Sequence, residues 1–260
     1  LSTVIIKFGG ASVSKPERFA HVADLVISRY KAYDNVVVVV SAMEGATNQL
    51  LELANQVHPK PPARELDMMV SVGERISIAL LAMALSLKGV EAISLTGSQS
   101  GILTSEEHFE ARILEVRPKR ILKHLEEGRV VIVAGFQGVS SQGEITTLGR
   151  GGSDTSAVAL GVALGAEKIE FFKDVDGVYL EDPKKTVDSV KFSFLSYPDA
   201  LEIVRKGAKV LHARAVELAE RNQMPLHVLS FQSSPDDLQK GTWIGPRPLE
   251  DKVCVSPTYE

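Results

Sequence analysis

Short β-branched runs alternate along the chain with longer helix-like stretches. Thr3 to Phe8 (TVIIKF) predicts a buried strand closed by Gly9 and Gly10. Asn35 to Val40 (NVVVVV) is apolar on both faces, the pattern of a parallel-sheet strand covered by helices. Between them, Ser14 as N-cap and Glu17 as its capping-box partner predict a helix running to about Tyr30. Further helices are expected at about Thr47 to Val57, Ala63 to Lys88 with a break or bend near Gly73, and Pro118 to Glu127. Further strands are expected at Val90 to Leu95, Arg112 to Val116 and Arg129 to Ala134, then a hairpin turn at Ser140 to Gly143 leading into Ile145 to Leu148. The rhythm repeats in the second half. Helices are expected at Ser153 to Leu164, Tyr197 to Lys206 and Leu211 to Asn222, and strands at Lys168 to Phe172, Leu226 to Leu229, Thr242 to Ile244 and Val253 to Val255. This alternation predicts a doubly wound α/β fold, a three-layer αβα sandwich on a mainly parallel central sheet.

Composition narrows the picture. At 260 residues and 44% hydrophobic, the chain can bury a sizeable core as one domain or two fused lobes. A net charge of -4 gives no nucleic-acid footprint. Cys254 is the single cysteine, so no intramolecular disulfide forms, which fits a reducing cytoplasm. Lys7 interrupts the first apolar run, and the longest one, Ile76 to Leu87, is shorter than a membrane span. The expectation is a cytoplasmic protein without nucleic-acid or membrane partners.

Chemistry concentrates at strand ends, where open α/β sheets bind ligands. Lys7, Gly9, Gly10 and Ser12 follow the first strand; glycines let backbone N–H groups approach phosphate oxygens, and a lysine adds a point charge. A tight turn explains that short glycine pair equally well. Gly149 to Asp154 (GRGGSD) surrounds Arg150 with glycines just before a helix whose N-terminus suits an anion. Arg150 could grip a carboxylate bidentately. Asp154, in the first helical turn, could cap the helix or serve in catalysis. The segment matches neither a Walker A loop nor a dinucleotide fingerprint. Asp174 to Tyr179 (DVDGVY) reads by composition as a turn. Ser41 to Asn48 follows the valine strand, and Glu74 sits beside Gly73 in a long helix, where a carboxylate is usually solvated.

The combination resembles one family. Lys7 to Gly10 (KFGG), Ser41 to Asn48, Ser71 to Glu74 (SVGE), Gly149 to Asp154, Asp174 to Tyr179 and Gly207 to His212 (GAKVLH) occur in the order seen in aspartokinases, within the wider amino acid kinase family. Leu95 to Ile102 (LTGSQSGI) and Leu211 to Glu217 (LHARAVE) look like aspartokinase rather than its cousins. The resemblance covers nearly the whole chain. It implies a single amino acid kinase domain over 1–260, with an acceptor lobe over about 1–165 and a nucleotide lobe over about 166–260; the expectation departs from the family in one respect, that this chain carries no ACT regulatory domain of the kind aspartokinases usually have in pairs. It implies ATP and Mg²⁺ as cofactors, L-aspartate as acceptor and a homodimer. Lys7, Gly10, Asp154 and Lys209 would serve catalysis. Ser41, Thr47, Glu74, Phe136, Arg150 and Ser153 would surround aspartate, Glu74 facing its ammonium and Arg150 its α-carboxylate. Lys7, Gly9, Gly10, Ser12, Lys173, Asp174, Tyr179, Asp182, Lys184 and Lys209 would line the nucleotide. No protein ligand is assigned to Mg²⁺, which the ATP phosphates would carry, with Asp154 the one side chain that could help organise it. Lys173 stands where threonine is common, Ala213 where proline is, and Ser98 where tryptophan is; none is expected to touch the core site.

Overall fold

A computed structural model describes residues 1–180, 186, 189–208, 210–234 and 240–246. The first half contains β1 (Thr3–Phe8), α1 (Arg18–Tyr30), β2 (Asn35–Val40), α2 (Ala46–Val57), α3 (Ala63–Val70), α4 (Val72–Leu87), β3 (Ala92–Leu95), β4 (Ile102–Thr104), β5 (Ile113–Val116), α5 (Lys119–Glu126), β6 (Val130–Ala134), β7 (Gln137–Ser140), β8 (Ile145–Thr147) and α6 (Gly152–Leu164). The second contains β9 (Lys168–Lys173), β10 (Val178–Tyr179), β11 (Lys191–Phe192), β12 (Phe194–Ser196), α7 (Tyr197–Arg205), α8 (Ala213–Arg221), β13 (Leu226–Ser230) and β14 (Thr242–Gly245).

Eight strands form the central sheet in the order β12-β14-β13-β9-β1-β2-β6-β3. Every neighbouring pair is parallel except β13 with β14. This is the expected sandwich. β1 lies at its centre, with Phe8 in register with Val40 of β2 and Phe172 of β9, so both halves of the chain meet there. A four-stranded sheet, β5-β4-β7-β8, accompanies it, and β10 pairs with β11.

Period-two alternation sends successive side chains to opposite faces. Val4, Ile6 and Phe8 join Val38, Val40 and the buried faces of α1 and α4 in one core. Ile5, Val37, Val39, Ile169 and Phe171 join α6 and α8 in the other. Each of these side chains is fully buried and contributes on the order of 1.5–3 kcal/mol. By the same alternation, Lys7 leaves the sheet on the α6 side.

The segment 63–87 is long and apolar enough to cross a membrane by length and composition alone. It is two helices parted at Ser71, and Gly73, Glu74, Ser77, Ile78, Leu81 and Leu85 of α4 are buried. α4 is therefore a core helix of the sandwich.

Some expectations fail locally. Ser14 does not cap α1. Gly10–Val13 forms a short 3-10 turn, Ser14 ends it in helical conformation, and the α1 start at Glu17 carries no side-chain cap. Backbone bonds from Arg18 to Lys15 and from Phe19 to Pro16 lead into the helix instead. Strands β4, β10, β11 and β12 were not expected; each is two or three residues long and shows no readable period. The strand expected at Val253 to Val255 lies outside the described residues.

Candidate active site

Parallel pairing brings the C-terminal ends of β1 and β9 together against the first turn of α6. Lys7 Nζ lies 2.6 Å from Asp154 Oδ1. Lys173 Nζ lies 3.1 Å from Asp154 Oδ2 and 3.3 Å from Oδ1. All three side chains are largely buried, Asp154 at 6% exposure. Burial alone would raise the Asp154 carboxyl, but the ammonium groups of Lys173 and Lys7 outweigh it and hold Asp154 well below the usual carboxylate range. Burial lowers the Lys173 ammonium to about 8, against the opposing pull of Asp154. Asp154 is thus a permanent anion between two cations.

A cleft of about 480 Å³, within the size range of small-ligand sites, opens onto Asp154 and is lined by Arg150, Gly151, Gly207, Ala208 and His212 among others. Gly151 is in the left-handed region with φ 74°, and a Cβ there would fall 2.0 Å from His212 Cγ. Only glycine lets α6 start this close to the entry of α8. Arg150 is exposed beside it and forms no ion pair among the described residues.

Beyond the ends of β1 and β2, the β2–α2 loop meets the start of α4. The Ser41 N–H donates to the Phe8 carbonyl at 3.1 Å, carrying the β1–β2 register past the strand ends. The Ala42 N–H donates to Glu74 Oε1 at 3.1 Å. A Cβ on Gly73 would lie 2.7 Å from Ala42 Cβ, so this glycine is what lets α4 reach the loop. Glu74 is 3% exposed, and its Oε2 has no hydrogen-bond partner among the described residues. Burial pushes its carboxyl up to about 7, despite the Ala42 N–H and the charge of Lys7. The usual solvated reading of a helical glutamate does not hold here.

Comparison with known proteins fits this geometry. Residues 2–230 match the model of the amino acid kinase family. The chain belongs to the amino acid kinase family. It is 50% identical over 244 residues to an aspartokinase of Geobacillus stearothermophilus, covering 94% of this chain and 59% of that one. It superposes on the crystal structure of aspartate kinase from Synechocystis with a TM-score of 0.82 at 44% identity, covering 95% of this chain and 40% of that chain. It superposes on E. coli aspartokinase III, solved in complex with aspartate and ADP, with a TM-score of 0.83 at 27% identity, covering 94% and 64%. The chain spans about 60% of the length of the curated aspartokinases it matches.

The chain places the remaining expected residues unevenly. Phe136 takes a left-handed φ of 69°, rare for a bulky residue, and its N–H donates to Ser156 Oγ at 3.1 Å. Ser153 is buried against Gly135 beside it. Thr47 is half-buried in the first turn of α2. Gly9 and Gly10 follow Lys7 directly, and a Cβ on Gly10 would lie 3.0 Å from the Ala42 carbonyl oxygen. Ser12 is buried and donates to the Phe172 carbonyl at 3.4 Å, which turns its hydroxyl toward β9. Tyr179 donates to Asp176 Oδ1 at 2.5 Å, which pushes its phenol up to about 12. Asp174 is exposed at the end of β9. Asp182, Lys184 and Lys209 lie outside the described residues. One expectation is corrected: Lys173 does touch the core of the site, because strand alternation turns it toward α6 and Asp154.

Asp67 escaped the sequence reading. It is fully buried on α3 and accepts hydrogen bonds from His108 Nδ1 at 2.7 Å, Thr147 Oγ1 at 2.5 Å and the Phe109 N–H at 3.2 Å. It thereby ties α3 to the end of β8, which leads into Gly149 and Arg150. The available signal was an acidic residue in a helix four residues before Ser71. Asp67→Ala leaves buried donors unpaired, and its expected cost is about 2–4 kcal/mol. Chemical denaturation measures this; a loss below about 0.5 kcal/mol would contradict the tie.

Proposed function

We propose that this chain is the catalytic domain of an aspartokinase, transferring the γ-phosphoryl group of Mg-ATP to the side-chain carboxylate of L-aspartate to give 4-phospho-L-aspartate, the first step of the aspartate-derived route to lysine, threonine and methionine. The observation that carries this reading is Glu74. A buried carboxylate with one unpaired oxygen calls for a cationic partner. The ammonium group of a free α-amino acid supplies one, whereas an N-acylated acid or a nucleotide acceptor does not. The similarity to aspartokinases, and the aspartate and ADP bound by the E. coli relative, support the same assignment.

The chemistry follows from the residues. The acceptor carboxylate is ionised at neutral pH, so no strong general base is required. One of its oxygens forms a bond to the γ-phosphorus as the bond to the β,γ-bridging oxygen breaks, and that electron pair leaves with ADP. The obstacle is the approach of two anions, which positioning and positive charge overcome. Lys7 faces the transferred group. Asp154 stays ionised and holds the lysines, an organiser and not a proton acceptor. Gly9 and Gly10 offer backbone N–H groups to phosphate, Arg150 takes the α-carboxylate, and Ser41, Thr47, Phe136 and Ser153 shape the acceptor pocket. Asp174, Tyr179, Asp182, Lys184 and Lys209 belong to the nucleotide side, so about 1–165 serves the acceptor and about 166–260 the nucleotide. Both Asp154 oxygens are engaged by ammonium groups, which fits a Mg²⁺ carried by the ATP phosphates, where it would neutralise charge on the transferred group.

The test is ADP release from Mg-ATP with L-aspartate, L-glutamate, N-acetyl-L-glutamate or no acceptor. Release with aspartate alone is expected. Release with N-acetyl-L-glutamate but not aspartate would overturn the role of Glu74 and the substrate with it.

A further inference from the structure

The segment that carries Arg150 lies between two residues of unusual backbone conformation. Among the described residues, the non-glycine positions with left-handed φ are Phe109 (71°), Phe136 (69°) and Gln223 (53°). The two phenylalanines border the link from β8 to α6. On one border the Leu148 N–H donates to the Phe136 carbonyl at 2.9 Å. On the other the Ala111 N–H donates to the Thr147 carbonyl at 2.9 Å, and a Cβ on Gly149 would fall 3.1 Å from the Phe109 carbonyl oxygen. The link thus rests directly on the Phe109 backbone. A bulky residue keeps such a conformation only where its surroundings over-determine it, and such residues collect at ligand sites.

Asp67 supplies that constraint for Phe109. Its two carboxylate oxygens each lie 3.2 Å from the Phe109 N–H, and Oδ2 lies 2.7 Å from His108 Nδ1. Oδ1 also accepts from the hydroxyl of Thr147, the last residue of β8 and two residues before Gly149. One buried side chain on α3 therefore fixes both the bed under the link and the strand that feeds it. Burying a carboxyl group costs more than burying an apolar side chain of its size, but only an acceptor with two oxygens can direct three donors at once. At 0% exposure Asp67 cannot itself meet a substrate.

We propose that Asp67, with His108 and Thr147, is a positioning residue of the acceptor site: it sets the path of Gly149 and so the place at which the Arg150 guanidinium receives the α-carboxylate. This rests on the kinase reading above and on the role given there to Arg150. Displacing a guanidinium by about 1 Å spoils a bidentate grip. Asp154, by contrast, is held from β1 and β9 by its own ion pairs and does not lean on Phe109. The loss therefore falls on acceptor affinity and not on phosphoryl transfer.

The test measures kcat and both KM values in four variants at the network. Asp67→Asn sets an amide N–H against a donor. It is expected to raise KM for L-aspartate about 10- to 100-fold, with kcat and KM for Mg-ATP within about 3-fold of wild type. Thr147→Val and His108→Leu each delete one donor and should raise the same KM by less. His108→Asn returns an N–H near the Nδ1 position and should recover most of the loss. Tyr197→Phe deletes a different buried hydrogen bond, to the Met224 carbonyl at 2.7 Å, and controls for lost stability. It should lower the unfolding midpoint and leave all three constants unchanged. In an Arg150→Ala background, Asp67→Asn should lower kcat/KM for L-aspartate by less than about 2-fold, because both changes act through one guanidinium. Losses that multiply in the double variant, or a fall in kcat at unchanged KM, would overturn the proposal. Unchanged KM in folded Asp67→Asn and Thr147→Val would reduce Asp67 to a structural tie. A wild type that does not turn over L-aspartate would remove the kinase reading itself, an outcome distinct from an active wild type with unaffected variants.

Discussion

Glu74→Gln is expected to abolish acceptor binding while making the folded protein more stable above neutral pH. The two effects share one cause. In the folded protein the Glu74 carboxyl titrates at about 7, against an ordinary value of 4.5. Between these values the unfolded chain gives up its proton first, so the folded state binds more protons. Stability therefore falls as pH rises through that window, by about 3 kcal/mol once pH exceeds 7. Glutamine keeps the oxygen that accepts from Ala42 and carries no charge to desolvate. The variant should unfold at higher denaturant concentration than wild type at pH 8, with the difference gone near pH 4.5. Its KM for L-aspartate should rise about 100-fold or more, because the ammonium group loses its buried counter-ion. In the wild type, acceptor affinity should increase as pH climbs through about 7, where Glu74 ionises; the variant should lack that rise. An unchanged KM in Glu74→Gln would separate Glu74 from the acceptor.

Lys7→Ala carries the other large effect. It removes the ammonium 2.6 Å from Asp154 and leaves Lys173 as the partner of that carboxylate. The expected loss is about 3–4 kcal/mol of transition-state stabilisation, two to three orders of magnitude in kcat, as for a lost oxyanion donor. KM for L-aspartate should stay near the wild-type value if, as proposed, Lys7 acts on the transferred group and not on the ammonium end of the acceptor. Steady-state kinetics on folded variant decides this. A variant that keeps kcat and loses only affinity would move Lys7 out of the transfer step.

Much of this site was legible because its parts sit at the ends of strong strands. TVIIKF and NVVVVV are unmistakably strand-like, and the glycines after β1 and before α6 mark where backbone must come close to something. What the sequence hid depends on direction and partnership. Glu74 reads by its place in a helix as a solvated residue, and only the resemblance assigns it to an ammonium group; its burial follows from the docking of α4 on Ala42 through Gly73. Lys173 read as a nucleotide contact; its turn toward Asp154 follows from the β1–β9 register, which a linear pattern does not carry. Asp67 is isolated in sequence from Thr147 and His108, and only the fold assembles that network. The short strands β4, β10, β11 and β12 are set by pairing partners and not by their own few residues. Ser14 shows the opposite case, a capping signature overridden because the preceding turn already continues into the helix.

The most direct measurement is the identity of the product trapped by hydroxylamine during turnover of Mg-ATP and L-aspartate. The account predicts the hydroxamate of the aspartate side-chain carboxyl, formed in step with ADP and absent without Mg-ATP. ADP release without hydroxamate, or a hydroxamate only with a different acid, would contradict it.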